Sequence, residues 1–286
     1  MAAAMNEIFL AIFTTLVPLG VGAFVVLALA NSFLVPTDEQ QKKLDKLTLI
    51  PLLVICAGFV SSFLHLQAPL GAIGVFAGIG ASPLSNEITV GVVFFVVAAI
   101  YTIMAVTGKL KTNTRKWLLI ASAVLGLVFA WFIGLAYSVH TIPSWSTILA
   151  PIEVLTLTFF GGSVLGYLVL QCSGVLGDDL AAHKVKSSIF VLCLIGFIGA
   201  LVAMIGHVEM VGQMWNPLVE GADIAATVMP CVWVFVILGL IAVVAMGYFS
   251  FVKHNAPFLY TSVALVLVAV FAARLAFYVM QISIAL

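Results

Sequence analysis

The sequence predicts an all-α integral membrane bundle of eight transmembrane helices, with both termini outside and a single domain over residues 1–286. Three observations carry this. Hydrophobic residues make up 64 % of the 286 and charged residues only 8 %, with a mean hydropathy of +1.29; a soluble domain carries about a quarter charged residues. The apolar residues fall into eight runs of the roughly 20 residues needed to cross a hydrocarbon core about 30 Å thick. The runs are continuous rather than alternating, which excludes a membrane β-barrel.

The spans are expected at 6–34, 48–66, 86–107, 117–139, 150–173, 187–206, 223–250 and 258–283. The first apolar run begins at Ile8 without a basic segment before it or a small-residue cleavage site after it, so it reads as a span and not as a cleaved signal. Lys42, Lys43 and Lys46 follow it. His65 closes the second span, and a loop of about 20 residues leads to Glu87 at the start of the third. Lys109, Lys111, Arg115 and Lys116 separate spans three and four. Glu153 opens span five, and Lys184 and Lys186 precede span six. His207, Glu209 and Glu220 belong to the sixth loop, Asp223 opens span seven, and Lys253 precedes span eight. Ten of the 11 Lys and Arg residues therefore lie in odd-numbered loops. Because basic residues stay on the cytoplasmic side, the even loops face outward.

The same composition excludes other classes. A formal net charge of zero leaves no basic surface for nucleic acid. Cys56, Cys172, Cys193 and Cys231 lie singly on apolar stretches, far from the spacing of a zinc site or an iron–sulfur cluster. They read as small buried hydrophobes. A di-haem anchor needs paired axial histidines. His140 and His207 sit at outer loop edges, and His183 and His254 in cytoplasmic loops, so that reading fails.

The loop between His65 and Glu87 holds Gly71, Gly74, Gly78, Gly80, Pro69 and Pro83 and no charge. A long connection of this kind inside a bundle is usually functional, and its apolar tone suits packing onto something greasy. Ser85, Asn86 and Glu87 read equally as a helix N-terminal cap. Taken together, His65 and Glu87 suit proton removal from a quinol, an apolar ring with two hydroxyls, because a histidine and a rim carboxylate can each accept a proton. Arg274 inside span eight is costly in lipid unless it is paired or lines a wet cavity. It either reaches the outer surface or faces inward toward a ligand or carboxylate.

His-Leu-Gln-Ala-Pro at 65–69 and Gly-Ala-Ser-Pro-Leu-Ser-Asn-Glu-Ile at 80–88 carry a resemblance, with weaker echoes at 141–145, 161–167 and 274–278. The sequence resembles the membrane anchor subunit of the anaerobic dimethyl sulfoxide reductase family over essentially its whole length. That resemblance implies an anchor that oxidises menaquinol and passes electrons to a four-cluster, ferredoxin-like iron–sulfur subunit, alongside a molybdopterin catalytic subunit. It implies neither haem nor iron–sulfur cluster in this chain, and a cytoplasmic (inner) membrane location. It assigns His65 and Glu87 to the quinol site. Arg274 is a further candidate, for the ring's far oxygen or for fixing Glu87 as a carboxylate. Gln67-Ala68 and the segment 207–222 depart from the family pattern. Even loops carrying Trp145 and Trp215 would form the docking face on the outer, periplasmic side. Alternatives are the anchor of a polysulfide or nitrite reductase-type complex, or a small-molecule transporter, for which no internal repeat is visible.

Overall fold

The computed structural model describes residues 7–65, 69–252 and 256–283. Among the described residues, eight helices are long and apolar enough to cross a membrane. In sequence order the elements are α1 (Ile8–Phe33), α2 (Asp38–Leu47), α3 (Leu49–His65), a 3₁₀ segment (Pro69–Gly78), α4 (Pro83–Val106), α5 (Thr112–Leu135), α6 (Leu149–Ser173), α7 (Leu180–Gly212), β1 (Trp215–Asn216), β2 (Val219–Glu220), α8 (Gly221–Phe251) and α9 (Ala256–Val279).

Helices α1 and α6 form the centre of the bundle and are buried on most sides, whereas α3, α4, α7 and α8 present broad apolar faces outward. Two glycines make this centre possible. A Cβ on Gly22 would lie 2.0 Å from the Thr158 carbonyl oxygen, and one on Gly162 would lie 2.2 Å from the Gly22 Cα. The two backbones therefore touch, as small residues allow in membrane helix pairs. Around this axis α3 and α5 pack on α1, α7 and α9 on α6, and α8 on α9.

Local chemistry sets the ends. Thr37 and Gln40 form a capping box that starts α2, with Thr37 N–H donating to Gln40 Oε1 at 2.9 Å. Helix α6 stops at Gly174, which takes the left-handed conformation (φ 75°) that favours glycine. In the sixth loop Asn216 Oδ1 accepts from the backbone N–H groups of Leu218 and Val219 at 2.9 and 2.8 Å, closing a hairpin of two paired residues per strand.

Several expectations are corrected. Helix α7 extends beyond the anticipated 187–206 at both ends, which places His207 and Glu209 in a helix and not in a loop. Helix α4 begins at Pro83, with Ser82 as its N-cap, so Glu87 lies in its second turn and caps nothing. Consecutive helices α3 and α4 make little direct contact; α3 lies chiefly against α1 and α4 against α5. Arg115, read as a loop charge, is buried in the first turns of α5 and bonds through both terminal nitrogens to the buried carboxylate of Asp45 on α2. Trp145 is buried and stacks on Phe277 with ring centroids 5.5 Å apart, so it forms no docking surface, while Trp215 is 72 % exposed.

Candidate quinol site and buried polar cluster

The start of α4 determines where Glu87 points. Ser85 N–H donates to Ser82 Oγ at 3.4 Å, and Gly80 N–H donates to Asn86 Oδ1 at 2.7 Å. Proline at the first helical position needs no hydrogen-bond partner for its nitrogen. These contacts turn the backbone into the helix four residues ahead of Glu87 and bury its carboxyl. Among the described residues no hydrogen bond or ion pair reaches it, and the residue is 6 % exposed. A carboxyl buried in a membrane helix without a partner is costly, and such groups commonly mark function. The phenol of Tyr137, two residues past the end of α5, lies within its electrostatic reach.

Tyr137 opens a series of polar groups that runs into the bundle. Its hydroxyl hydrogen-bonds that of Tyr278 on α9. The Tyr278 hydroxyl lies 3.4 Å from Thr14 Oγ1 on α1, and Arg274 Nε donates to the same oxygen at 3.0 Å. Arg274 Nη1 donates to Glu153 Oε1 on α6 at 2.9 Å. The second Glu153 oxygen faces His207 Nδ1 on α7 at 4.0 Å. The other ring nitrogen, His207 Nε2, lies 2.7 Å from the Ser144 carbonyl oxygen. Arg274, Glu153 and His207 are essentially inaccessible.

An aromatic box closes over this cluster. The Arg274 guanidinium carbon lies 4.3 Å from the Phe277 ring centroid and 5.5 Å from that of Tyr278. Tyr137 packs against Trp145, Phe277 and Tyr278 with centroids 5.0 to 5.6 Å apart. Trp145 Nε1 donates to the Phe277 carbonyl at 3.1 Å, and Ile282 N–H donates to Ser144 Oγ at 2.8 Å, which fastens loop four to the end of α9.

The candidates from sequence thus separate. Glu87 is buried at the near end of the polar series. Arg274 neither reaches the surface nor pairs with Glu87; its carboxylate partner is Glu153. His65 is the last residue of α3, and its side chain lies outside the described residues. Sequence reasoning missed Thr14, Tyr137, Glu153, His207 and Tyr278 as one cluster. A signal for part of it existed, since Arg274, Phe277 and Tyr278 fall at helical spacing on one face. Among the described residues, no three His, Cys, Asp or Glu side chains gather as a metal site would require.

The DMSO reductase anchor subunit (DmsC) family model matches residues 1–280. The chain belongs to that family. This anchor is 36 % identical over 199 residues to the C subunit of the anaerobic dimethyl sulfoxide reductase of Escherichia coli K12, covering 68 % of this anchor and 67 % of the relative. It is 31 % identical over 166 residues to the anaerobic dimethyl sulfoxide reductase subunit YnfH of the same organism, covering 58 % of each. It is 28 % identical over 173 residues to the corresponding C subunit of Haemophilus influenzae, covering 59 % of this anchor and 61 % of the relative. The anchor is accordingly a multi-pass membrane protein of an oxidoreductase family.

Proposed function

We propose that this anchor binds and oxidises menaquinol at the outer ends of α3 and α4, and passes the electrons to an iron–sulfur subunit seated on loops two, four and six. A molybdopterin catalytic subunit completes the complex and reduces the terminal acceptor. Both termini lie on that same outer side of the cytoplasmic membrane. The observation that carries the reading is Glu87, a carboxyl buried without a described partner at the end of a membrane span and within electrostatic reach of the Tyr137 phenol.

The chemistry asked of the site is small. Quinol becomes quinone as two protons and two electrons leave the ring. Glu87 accepts one proton from a ring hydroxyl, and His65 is suited to take the other. Tyr137, held by Tyr278, supplies a phenol within electrostatic reach of Glu87. The electrons leave toward the partner, and the protons leave on the outer side, where oxide reduction consumes two. No net charge then crosses the membrane.

Surface character supports the two docking roles. Phe76, Ile79 and Leu84, around the start of α4, are 42 to 53 % exposed, an apolar approach for a lipid-borne ring and tail. Trp215 and Leu218 at the hairpin are 72 and 78 % exposed, and aromatic anchors are enriched at interface centres. The names of the curated relatives, which are subunits of anaerobic dimethyl sulfoxide reductases, fit the same assembly.

The test compares two electron donors in the assembled complex. His65→Ala and Glu87→Ala should lower menaquinol-driven reduction by about 10²–10⁴, the usual effect of losing a proton acceptor. Reduction driven by a soluble viologen, which bypasses the anchor, should stay at the wild-type rate. Normal menaquinol turnover in both assembled variants would overturn the proposal.

A further inference from the structure

The interior contains a second protonatable pair that the proposed quinol chemistry does not use. Glu153 Oε2 and His207 Nδ1 face each other at 4.0 Å, and neither has a hydrogen-bond partner among the described residues. The distance is too long for a hydrogen bond. It is also short for a bridging water, which would hold its two partners about 4.6 Å apart through bonds of about 2.8 Å.

The tautomer explains the gap. His207 Nε2 lies 2.7 Å from the Ser144 carbonyl, which only accepts, so Nε2 carries the hydrogen. In the neutral ring Nδ1 is then a lone pair, and it faces the lone pair of a carboxylate oxygen. The carboxylate itself is held in place, since Glu153 Oε1 accepts from Arg274 Nη1 at 2.9 Å. One added proton converts this opposition into an Nδ1–H···Oε2 bond after a closure of about 1 Å. Among the described residues the charged group that meets the pair is Arg274 from α9, through Glu153, and the Phe277 ring lies 5.4 Å from the His207 ring. Thr14 from α1, Tyr278 from α9 and Tyr137 from the end of α5 join through Arg274. Arg274 balances the carboxylate, so the added proton is not needed to neutralise it.

We propose that Glu153 and His207 form a buried one-proton site, which stays open when the ring is neutral and closes when Nδ1 is protonated. The step is simple in its balance: Nδ1 gains a proton and a hydrogen bond forms to Oε2, with no electron moved. The polar series from Glu153 through Arg274, Thr14, Tyr278 and Tyr137 ends within reach of Glu87. The site is therefore electrostatically linked to the place where quinol protons would be released. This last link rests on the quinol reading; the one-proton site does not.

The first experiment needs no turnover. In the whole complex, labelled with ¹⁵N-histidine and held in lipid nanodiscs, the His207 ring is followed by solid-state NMR across roughly pH 5 to 9, the range in which histidines change charge. Nδ1 is expected to pass from the unprotonated to the protonated region as pH falls, with Nε2 protonated throughout. The signal should be missing in His207→Gln, which assigns it, and displaced in Glu153→Gln. A His207 ring in one protonation state over the whole range overturns the site. A second experiment isolates the link to quinol. Assembled His207→Gln should show an altered pH profile of menaquinol-driven reduction and an unaltered profile with a soluble viologen. Identical menaquinol profiles would remove the link and leave the NMR titration standing. Failure of the quinol reading itself would instead show as menaquinol turnover that is insensitive to Glu87.

Discussion

Arg274 on α9 and Glu153 on α6 are joined at 2.9 Å in a part of the bundle where both residues are at most 1 % exposed. Each makes the other tolerable in that place, because a buried charge without a partner costs several kcal/mol. The pair also fixes which way Thr14, Tyr278 and His207 are aimed.

Breaking one side of this pair should therefore cost more than removing both. Arg274→Leu or Glu153→Leu alone is expected to lower the stability of the anchor by about 3–5 kcal/mol. The double variant should recover a large part of that loss, since no unpaired charge remains. Thermal aggregation of the three anchors in mild detergent checks this. A double variant less stable than either single would refute it.

The contact between Gly22 and Gly162 gives a second expectation. Alanine at Gly162 places a methyl 2.2 Å from the Gly22 Cα, with backbone and no yielding side chain in the way. The cost should be at least the roughly 1–3 kcal/mol typical of overpacking. Moving α6 away from α1 would also disturb the polar cluster, in which Thr14 on α1 and Glu153 on α6 both bond Arg274. Gly74→Ala is the control, because its Cβ would meet nothing within 4 Å. Its melting temperature should equal that of the wild type.

Asp45 and Arg115 join α2 to α5 across 70 residues of sequence through two parallel hydrogen bonds. Arg115→Lys keeps the charge but not the planar fork, and should recover only a minor part of the stability lost in Arg115→Ala. Melting of the two variants side by side decides it. Full recovery by lysine would mean that charge alone matters there.

The orientation proposed from the distribution of lysine and arginine can be read directly. In an anchor freed of its four native cysteines, Leu218→Cys in the hairpin should react with an impermeant maleimide added to intact spheroplasts. Lys111→Cys, at the start of α5, should react only after the membrane is opened. The reverse pattern would turn the molecule over and move the docking face to the cytoplasm.

The spans and their order were legible in the sequence because lipid imposes one requirement along the whole length of a helix. The buried cluster was hidden because its members come from four helices and the loop after α5. Hydropathy placed the end of span six at residue 206, since His207 and Glu209 are polar, but helix α7 continues to Gly212. A helix ends where its hydrogen bonding ends and not where its side chains turn polar. The same bias made Glu153 and Arg115 look like rim charges, when each is neutralised inside by a residue distant in sequence. For Glu87 the sequence found the residue but not its setting. Sequence set it with His65 across the loop and offered Arg274 as a group that could fix it. Arg274 pairs with Glu153 instead, and the Tyr137 phenol lies within electrostatic reach of Glu87.

Whether electrons enter the complex from a quinol beside Glu87 is decided by single-turnover reduction of the partner's clusters. The oxidised complex is mixed with a menaquinol analogue without terminal acceptor, and cluster reduction is followed by electron paramagnetic resonance in wild type and Glu87→Gln. Rapid cluster reduction is expected in the wild type. In the variant, reduction should be slowed by about 10²–10⁴, although dithionite still reduces the same clusters fully. Clusters reduced by menaquinol at the wild-type rate in an assembled Glu87→Gln complex would rule out this point of entry.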